Sequence, residues 1–249
     1  MKLNLGLFPL LLGFLLPLHA LGQAHAAGFT SQQRDEIVTI LRDALKRDPS
    51  ILRDAVVALQ ADDSRAQSET QAKALAAVAP ALNATAGDPV AGNPQGKVTL
   101  VEFYDVRCPY CRRMVPTMAN LLRANPDIRL VYKDLPVLGP NSVIGARALL
   151  AAQKQGGYQR LHDALMSGPA DVTEESIHAA AAKLGLDWER IQADMKAPDV
   201  LARIDANLAL AHRLELQGTP VYVVGGKLLP GAVALSELQD AVTAARRLN

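Results

Sequence analysis

Cysteine is scarce in this sequence, with two in 249 residues. That excludes a small disulfide-stapled scaffold, because at most one bridge can close. Aromatic residues are scarce as well, at 4% with a single tryptophan, so a core has to be built mainly from aliphatic side chains. Neither sign of charge dominates: 26 basic residues face 25 acidic ones, and a net charge of +1 leaves no electrostatic footprint for nucleic acid. There is no basic tail for a membrane surface, and after residue 21 no apolar run is long enough to cross a bilayer. With 49% hydrophobic and 20% charged residues the composition is that of a globular protein, which excludes intrinsic disorder.

The one long apolar run covers residues 3–21. It follows Lys2, is broken by Pro9 and Pro17, and gives way to Ala24-His25-Ala26. A short apolar segment behind one basic residue, closing on small residues, has the form of a secretory signal peptide and is too interrupted for a comfortable span. An uncleaved anchor is the competing reading. Residues 1–26 are therefore expected to be removed by cleavage after Ala26, leaving residues 27–249 in the periplasm. Cleavage takes Lys2 and no acid, so 25 residues of each sign remain.

Residues 87–96, Gly-Asp-Pro-Val-Ala-Gly-Asn-Pro-Gln-Gly, hold five Gly or Pro in ten positions and read as a linker, since neither a helix nor a central strand tolerates that density. Before it, residues 27–86 read as an all-helical arm. Thr30 and Gln33 fit a capping box, and Ile37, Ile40, Leu41, Ala44 and Leu45 line one helical face. Asp48-Pro49 is expected to open a short second helix with Ile51, Leu52, Ala55, Val56 and Leu59 inward, and a third is expected from about Asp63 to Pro80. An arm of this size with one aromatic, Phe29, buries too little to stand alone, so its apolar stripe needs a partner: another copy of the chain or its own second domain.

After the linker, strand and helix alternate. Residues 97–105 are β-rich and nearly continuous in apolar side chains, as a buried strand is. A helix is expected from Pro109 to about Ala124, a strand at 128–135, a helical stretch over about 140–214, two short strands at 221–224 and 227–229, and a final helix from about Ser236.

Both cysteines lie in Cys108-Pro109-Tyr110-Cys111, at the join of a buried strand and a helix. A thiol at a helix start faces unpaired N–H groups and the positive end of the helix dipole, which stabilise its thiolate. The second cysteine, one turn on, can attack a mixed disulfide and release the partner, which is two-step thiol-disulfide exchange. A structural bridge fits so tight a loop poorly, and zinc needs two further ligands that His162, His178 and His212 do not supply at sensible spacing. Cys111, Met114 and Met118 fall at offsets that could offer soft ligands to Cu(I), although helical core packing explains them better. No metal or cofactor is expected, since two thiols carry the electrons.

Val101-Glu102-Phe103-Tyr104-Asp105 leading into Cys-Pro-Tyr-Cys, the segment Asp134-Leu135-Pro136-Val137-Leu138-Gly139, and Gly218-Thr219-Pro220 before a strand resemble the DsbA-like thiol-disulfide oxidoreductases. The helical arm makes the likeness nearest to the ScsC-like branch. The resemblance covers residues 97–249 well and the arm in character only. It implies an α/β thioredoxin fold with a helical insertion, preceded by the all-α arm, and a cis Thr219-Pro220 peptide beside the active site. It also implies that Glu102, a buried acid, helps move the proton of the inner thiol; a strand-end carboxylate reaching solvent, or a structural pair with Lys133 on the next strand, is the competing reading. Cys108, Cys111, Glu102 and Pro220 are thus the candidate catalytic residues, and Thr219, Pro109 and Tyr110 the candidate substrate contacts.

Tyr110 supplies none of the positive charge that a histidine would place beside the thiolate, and Thr219 resembles the isomerase and reductase members. The expected function is a periplasmic protein-disulfide isomerase or reductase. Expected partners are exported cysteine-containing clients, a membrane redox partner that resets the site, and further copies in a dimer or trimer; nucleic acid is not among them. The alternatives are a DsbA-type dithiol oxidase and, in a different class, a periplasmic copper- or client-binding protein.

Overall fold

The computed structural model describes residues 28–83, 87–169 and 171–248. The expected signal peptide lies outside them. The chain divides into two units, one ending at Ala61 and one spanning Asp62–Asn249.

In the first unit, α1 (Ser31–Arg47) begins at a capping box: Gln33 N–H donates to Thr30 Oγ1 at 3.2 Å, and Thr30 N–H to Gln33 Oε1 at 2.9 Å. Asp48 ends α1, and its carboxylate accepts the Ser50 N–H at 3.0 Å where α2 (Ser50–Leu82) starts. The short second and third helices expected from sequence are one helix of 33 residues. Nothing from Ser50 to Ala79 is Gly or Pro, and Asp62-Asp63-Ser64 costs a helix only tenths of a kcal/mol per residue, roughly. Pro80 does not stop the helix; it sits in the last turn, where a missing N–H removes a single bond. α1 has no buried residue, and Ile37, Ile40, Leu41, Leu45, Ile51, Leu52, Val56 and Leu59 are all exposed.

The second unit takes the part of α2 from Asp62 onward, so residues 62–82 of the expected arm belong with the sheet. Leu75, Val78 and Leu82 are buried in a core with Val101, Phe103, Val131 and Val223. The sheet is ordered β1-β3-β2-β4-β5, from β1 (Val90–Gly92), β2 (Val98–Tyr104), β3 (Ile128–Asp134), β4 (Val221–Val224) and β5 (Lys227–Pro230). β2 and β3 are parallel and the other pairs antiparallel. The stretch read as a linker therefore contains an edge strand. Its glycines and prolines flank Val90-Ala91-Gly92, which is short enough to pair on one side only, with β3. Asp88, just before it, is buried and takes Lys133 Nζ at 2.6 Å and Arg203 Nη1 at 2.8 Å.

Helix α3 (Pro109–Ala124) follows β2, and α9 (Leu235–Arg246) closes the chain. Between β3 and β4 come α4 (Pro140–Gln153), α5 (Tyr158–Ser167), α6 (Glu174–Lys183), α7 (Trp188–Asp194) and α8 (Pro198–Arg213). Alternation along β2 sends Val101 and Phe103 to the core shared with α2. Leu100 and Tyr104 enter the other core, with Cys108, Cys111, Met114 and Met118 of the α3 region. Glu102 has the parity of the second set.

Candidate active site

β2 ends at Tyr104 and the chain reaches α3 in four residues, with Cys108 as the cap residue and Pro109 in the first helical turn. Asp105 shapes this turn. Its carboxylate accepts the N–H of Arg107 at 2.8 Å, of Val137 at 2.9 Å and of Leu138 at 3.0 Å, fastening the cysteine loop to the segment after β3. Thr219-Pro220 is a cis peptide, and Cys108 Sγ lies 3.3 Å from the Thr219 carbonyl oxygen. Around this pair Pro109, Tyr110, Val137 and Leu138 are exposed, with the Arg113 guanidinium 4.4 Å from the centre of the Tyr110 ring.

Both cysteines are free thiols and both are buried, Cys108 at 3% exposure and Cys111 at 0%. What separates them is electrostatics. The Cys111 S–H donates to the Cys108 sulfur, and the N–H groups of Cys111 and Tyr110 point at it too; together they overcome burial and bring the Cys108 pKa down to about 5. The same hydrogen bond, with burial, pushes the Cys111 thiol up. Cys108 is therefore a thiolate at neutral pH, with a proton held on Cys111 beside it.

Glu102 is buried, and burial raises its pKa to about 8 against the opposing hydrogen bond that the Tyr222 hydroxyl donates to Oε1 at 3.3 Å. Burial also drives the Tyr222 hydroxyl upward, helped by the charges of Glu102 and Cys111, so Tyr222 feels both groups. The expected alternative, a Glu102–Lys133 pair, is not formed: Lys133 stands opposite Phe103 on the other side of the sheet and binds Asp88 and the Ala81 carbonyl oxygen. Met114 and Met118 point into the core at 4% and 5% exposure.

Sequence reading brought out Cys108, Cys111, Glu102, Thr219 and Pro220, and the fold gathers these on one side of the sheet. It missed Tyr222, which reads as an ordinary strand tyrosine, and the clamp from Asp105 to Val137 and Leu138, which lie more than thirty residues away.

A dithiol at a strand-to-helix junction, facing a cis-proline loop across this sheet order, marks a thioredoxin-fold protein of the thiol-disulfide oxidoreductase class. Residues 99–243 match the DSBA-like thioredoxin domain, and residues 33–66 match the copper resistance protein ScsC N-terminal domain. The chain belongs to the DSBA-like thioredoxin family and carries an ScsC-type N-terminal domain. Among solved structures, a thioredoxin-like oxidoreductase from Silicibacter pomeroyi DSS-3 is 47% identical, covering 67% of this chain and 96% of that one, with a TM-score of 0.65. Proteus mirabilis ScsC in a transitional conformation is 31% identical over 90% of this chain and 99% of that one, also with a TM-score of 0.65. A curated relative, Na(+)/H(+) antiporter NhaA 1 of Salinispora arenicola, is 31% identical over 160 residues, which is 64% of this chain and 24% of the antiporter. The chain spans about a quarter of the length of the curated relatives it matches.

Proposed function

We propose that this chain is an exported thiol-disulfide oxidoreductase that reduces or isomerises disulfides in protein clients. The observation that carries the reading is the Cys108 sulfur at the start of α3, 3.3 Å from the Thr219 carbonyl oxygen and hydrogen-bonded by Cys111. The Cys108 thiolate attacks a client disulfide, forming a Cys108–client bond and releasing one client sulfur as a thiolate. Cys111 then attacks the Cys108 sulfur and its proton passes to Glu102 in its ionised form, whose share grows as pH rises toward 8. A Cys108–Cys111 disulfide forms and the second client sulfur leaves, so the client gains two electrons and the protein loses two. In isomerisation a client thiolate instead attacks the mixed disulfide and regenerates Cys108. The backbone of Thr219, set by Pro220, pairs with an extended client segment, and Pro109 and Tyr110 border it.

The absence of a histidine beside the thiolate, with Tyr110 in its place, favours reduction and shuffling over oxidation. Export rests on the leader pattern of residues 1–26; among the described residues no helix is long and apolar enough to cross a membrane. Self-association rests on the first unit, where Phe29, Ile40 and Leu59 are more than 60% exposed. Burying each such side chain between copies contributes roughly 1.5–3 kcal/mol. A membrane redox partner would return the site to the dithiol.

The test is mixed-disulfide trapping. Cys111→Ser should accumulate covalent adducts with exported proteins through Cys108, while Cys108→Ser accumulates none. Adducts through Cys111 instead of Cys108 would reverse the roles.

A further inference from the structure

When Cys111 resolves the mixed disulfide, a client lies across Thr219 and Cys108, so that side of the dithiol is covered at the moment a proton must leave. A separate cavity of about 330 Å³ reaches Glu102 without being lined by Cys108, Tyr110, Thr219 or Pro220. Its far wall is α3, apolar at Met118 and Ala119, and its near wall is polar: Tyr132, Gln159, His162 and Asp163. Tyr132 stands opposite Glu102 in the sheet register. Gln159 Nε2 donates to Asp163 Oδ1 at 2.8 Å, and His162 Nδ1 lies 3.0 Å from the same oxygen. His162 is 4% exposed and Asp163 is exposed, so the polar wall runs from a buried carboxyl to solvent. Gln159 Oε1 is a buried acceptor with no protein partner among the described residues. Val115, Leu122 and Met166 add to the apolar lining, but a space this roomy with several polar groups along one wall gives water the partners it needs.

We infer that this cavity is the proton exit of Glu102, with Gln159 and the His162–Asp163 pair as positioning residues for the water between the carboxyl and solvent. The inference rests on the role proposed above for Glu102. Ionised Glu102 takes the Cys111 proton as the Cys108–Cys111 bond forms, and passes it to cavity water and then to buffer, which returns the carboxylate for the next turnover. The departing client thiolate takes its own proton from bulk solvent, and no further oxidant or reductant enters. The titratable groups that face the carboxyl are Tyr132 from β3, Tyr222 from β4, and His162 and Asp163 from α5, and Cys111 from α3 meets it through Tyr222, on which both act.

The experiment is single-turnover reduction of a disulfide-bonded peptide by the full chain, following decay of the mixed disulfide, in Gln159→Leu, Ala119→Trp and Glu102→Gln. Gln159→Leu removes one polar group of the wall and its unpartnered acceptor, and Ala119→Trp fills the opening from an exposed position. Both should slow resolution roughly tenfold, within the range for impaired proton transfer. Both should raise the solvent deuterium isotope effect and leave the alkylation rate of Cys108 unchanged, and imidazole should restore the rate of Gln159→Leu. Resolution at the parent rate in either variant, while Glu102→Gln is slow, overturns the exit and leaves the Glu102 role standing. Slowing with no isotope effect and no rescue marks lost packing and overturns it equally. A Glu102→Gln chain that resolves at the parent rate overturns both readings.

Discussion

The two units put the same kind of residue to opposite use. In residues 62–248 the apolar positions of strands and helices close two cores, one on each face of the sheet, and the face toward α3 also holds the dithiol. In residues 28–61 an equally regular stripe of Ile, Leu and Val is left in solvent, with no residue buried in α1. The second unit closes its own apolar positions into cores, whereas the first leaves exposed the stripe that the proposed self-association would bury.

The largest effect should come from the dithiol. Cys108→Ser should abolish disulfide exchange in a peptide-reduction assay while leaving the circular dichroism spectrum intact, because the attacking thiolate is gone and the buried site is otherwise unchanged. A chain starting at Asp62 should sharpen the contrast between units. It should fold as a monomer by light scattering, reduce peptides at the parent rate, and refold a scrambled client at least about tenfold more slowly, through loss of clustered sites. A cut at residue 86 should not serve, because it strips Leu75, Val78 and Leu82 from the core behind the sheet.

Next in size is the buried charge behind the sheet. Asp88→Ala leaves Lys133 and Arg203 without their shared carboxylate and should cost about 3 kcal/mol in urea unfolding, the usual result of removing one partner of a buried pair.

Glu102→Gln should affect both chemistry and stability. Its folded pKa of about 8 lies above the ordinary value of 4.5, so between those pH values the native state holds a proton that the unfolded chain has lost. The parent therefore loses stability as pH rises through that window, by up to about 1.4 kcal/mol per pH unit. Glu102→Gln should remove the slope and be the more stable protein at pH 8, while exchanging disulfides several-fold more slowly. Urea unfolding at pH 5 and pH 8 checks the sign. The smallest effect is expected from Tyr110→His, which adds a charge beside the thiolate and should make the disulfide more oxidising by some tens of millivolts, roughly, in a glutathione equilibrium.

Much of the catalytic unit was legible in the sequence because its signals are local. The cysteine pair, the strand before it and the proline after Thr219 each declare themselves within a few residues. The clamp from Asp105 to Val137 and Leu138, and the bond from Tyr222 to Glu102, depend on partners that only the fold brings near. The edge strand β1 was hidden by the glycines and prolines around it, and its pairing with β3 is a tertiary fact. The helix boundary expected near Asp63 is absent, because Asp62-Asp63-Ser64, without Gly or Pro, is too weak to break a helix already propagating.

Disulfide exchange at this site turns on Cys108 being a thiolate made so by Cys111, and thiolate absorbance of the reduced protein against pH tests that directly. The expected titration midpoint is about 5 in the parent. It should rise in Cys111→Ala, where the S–H donor is lost, and be absent in Cys108→Ser. A parent midpoint near 8.5, roughly that of an ordinary thiol, or one that Cys111→Ala leaves in place, would contradict it.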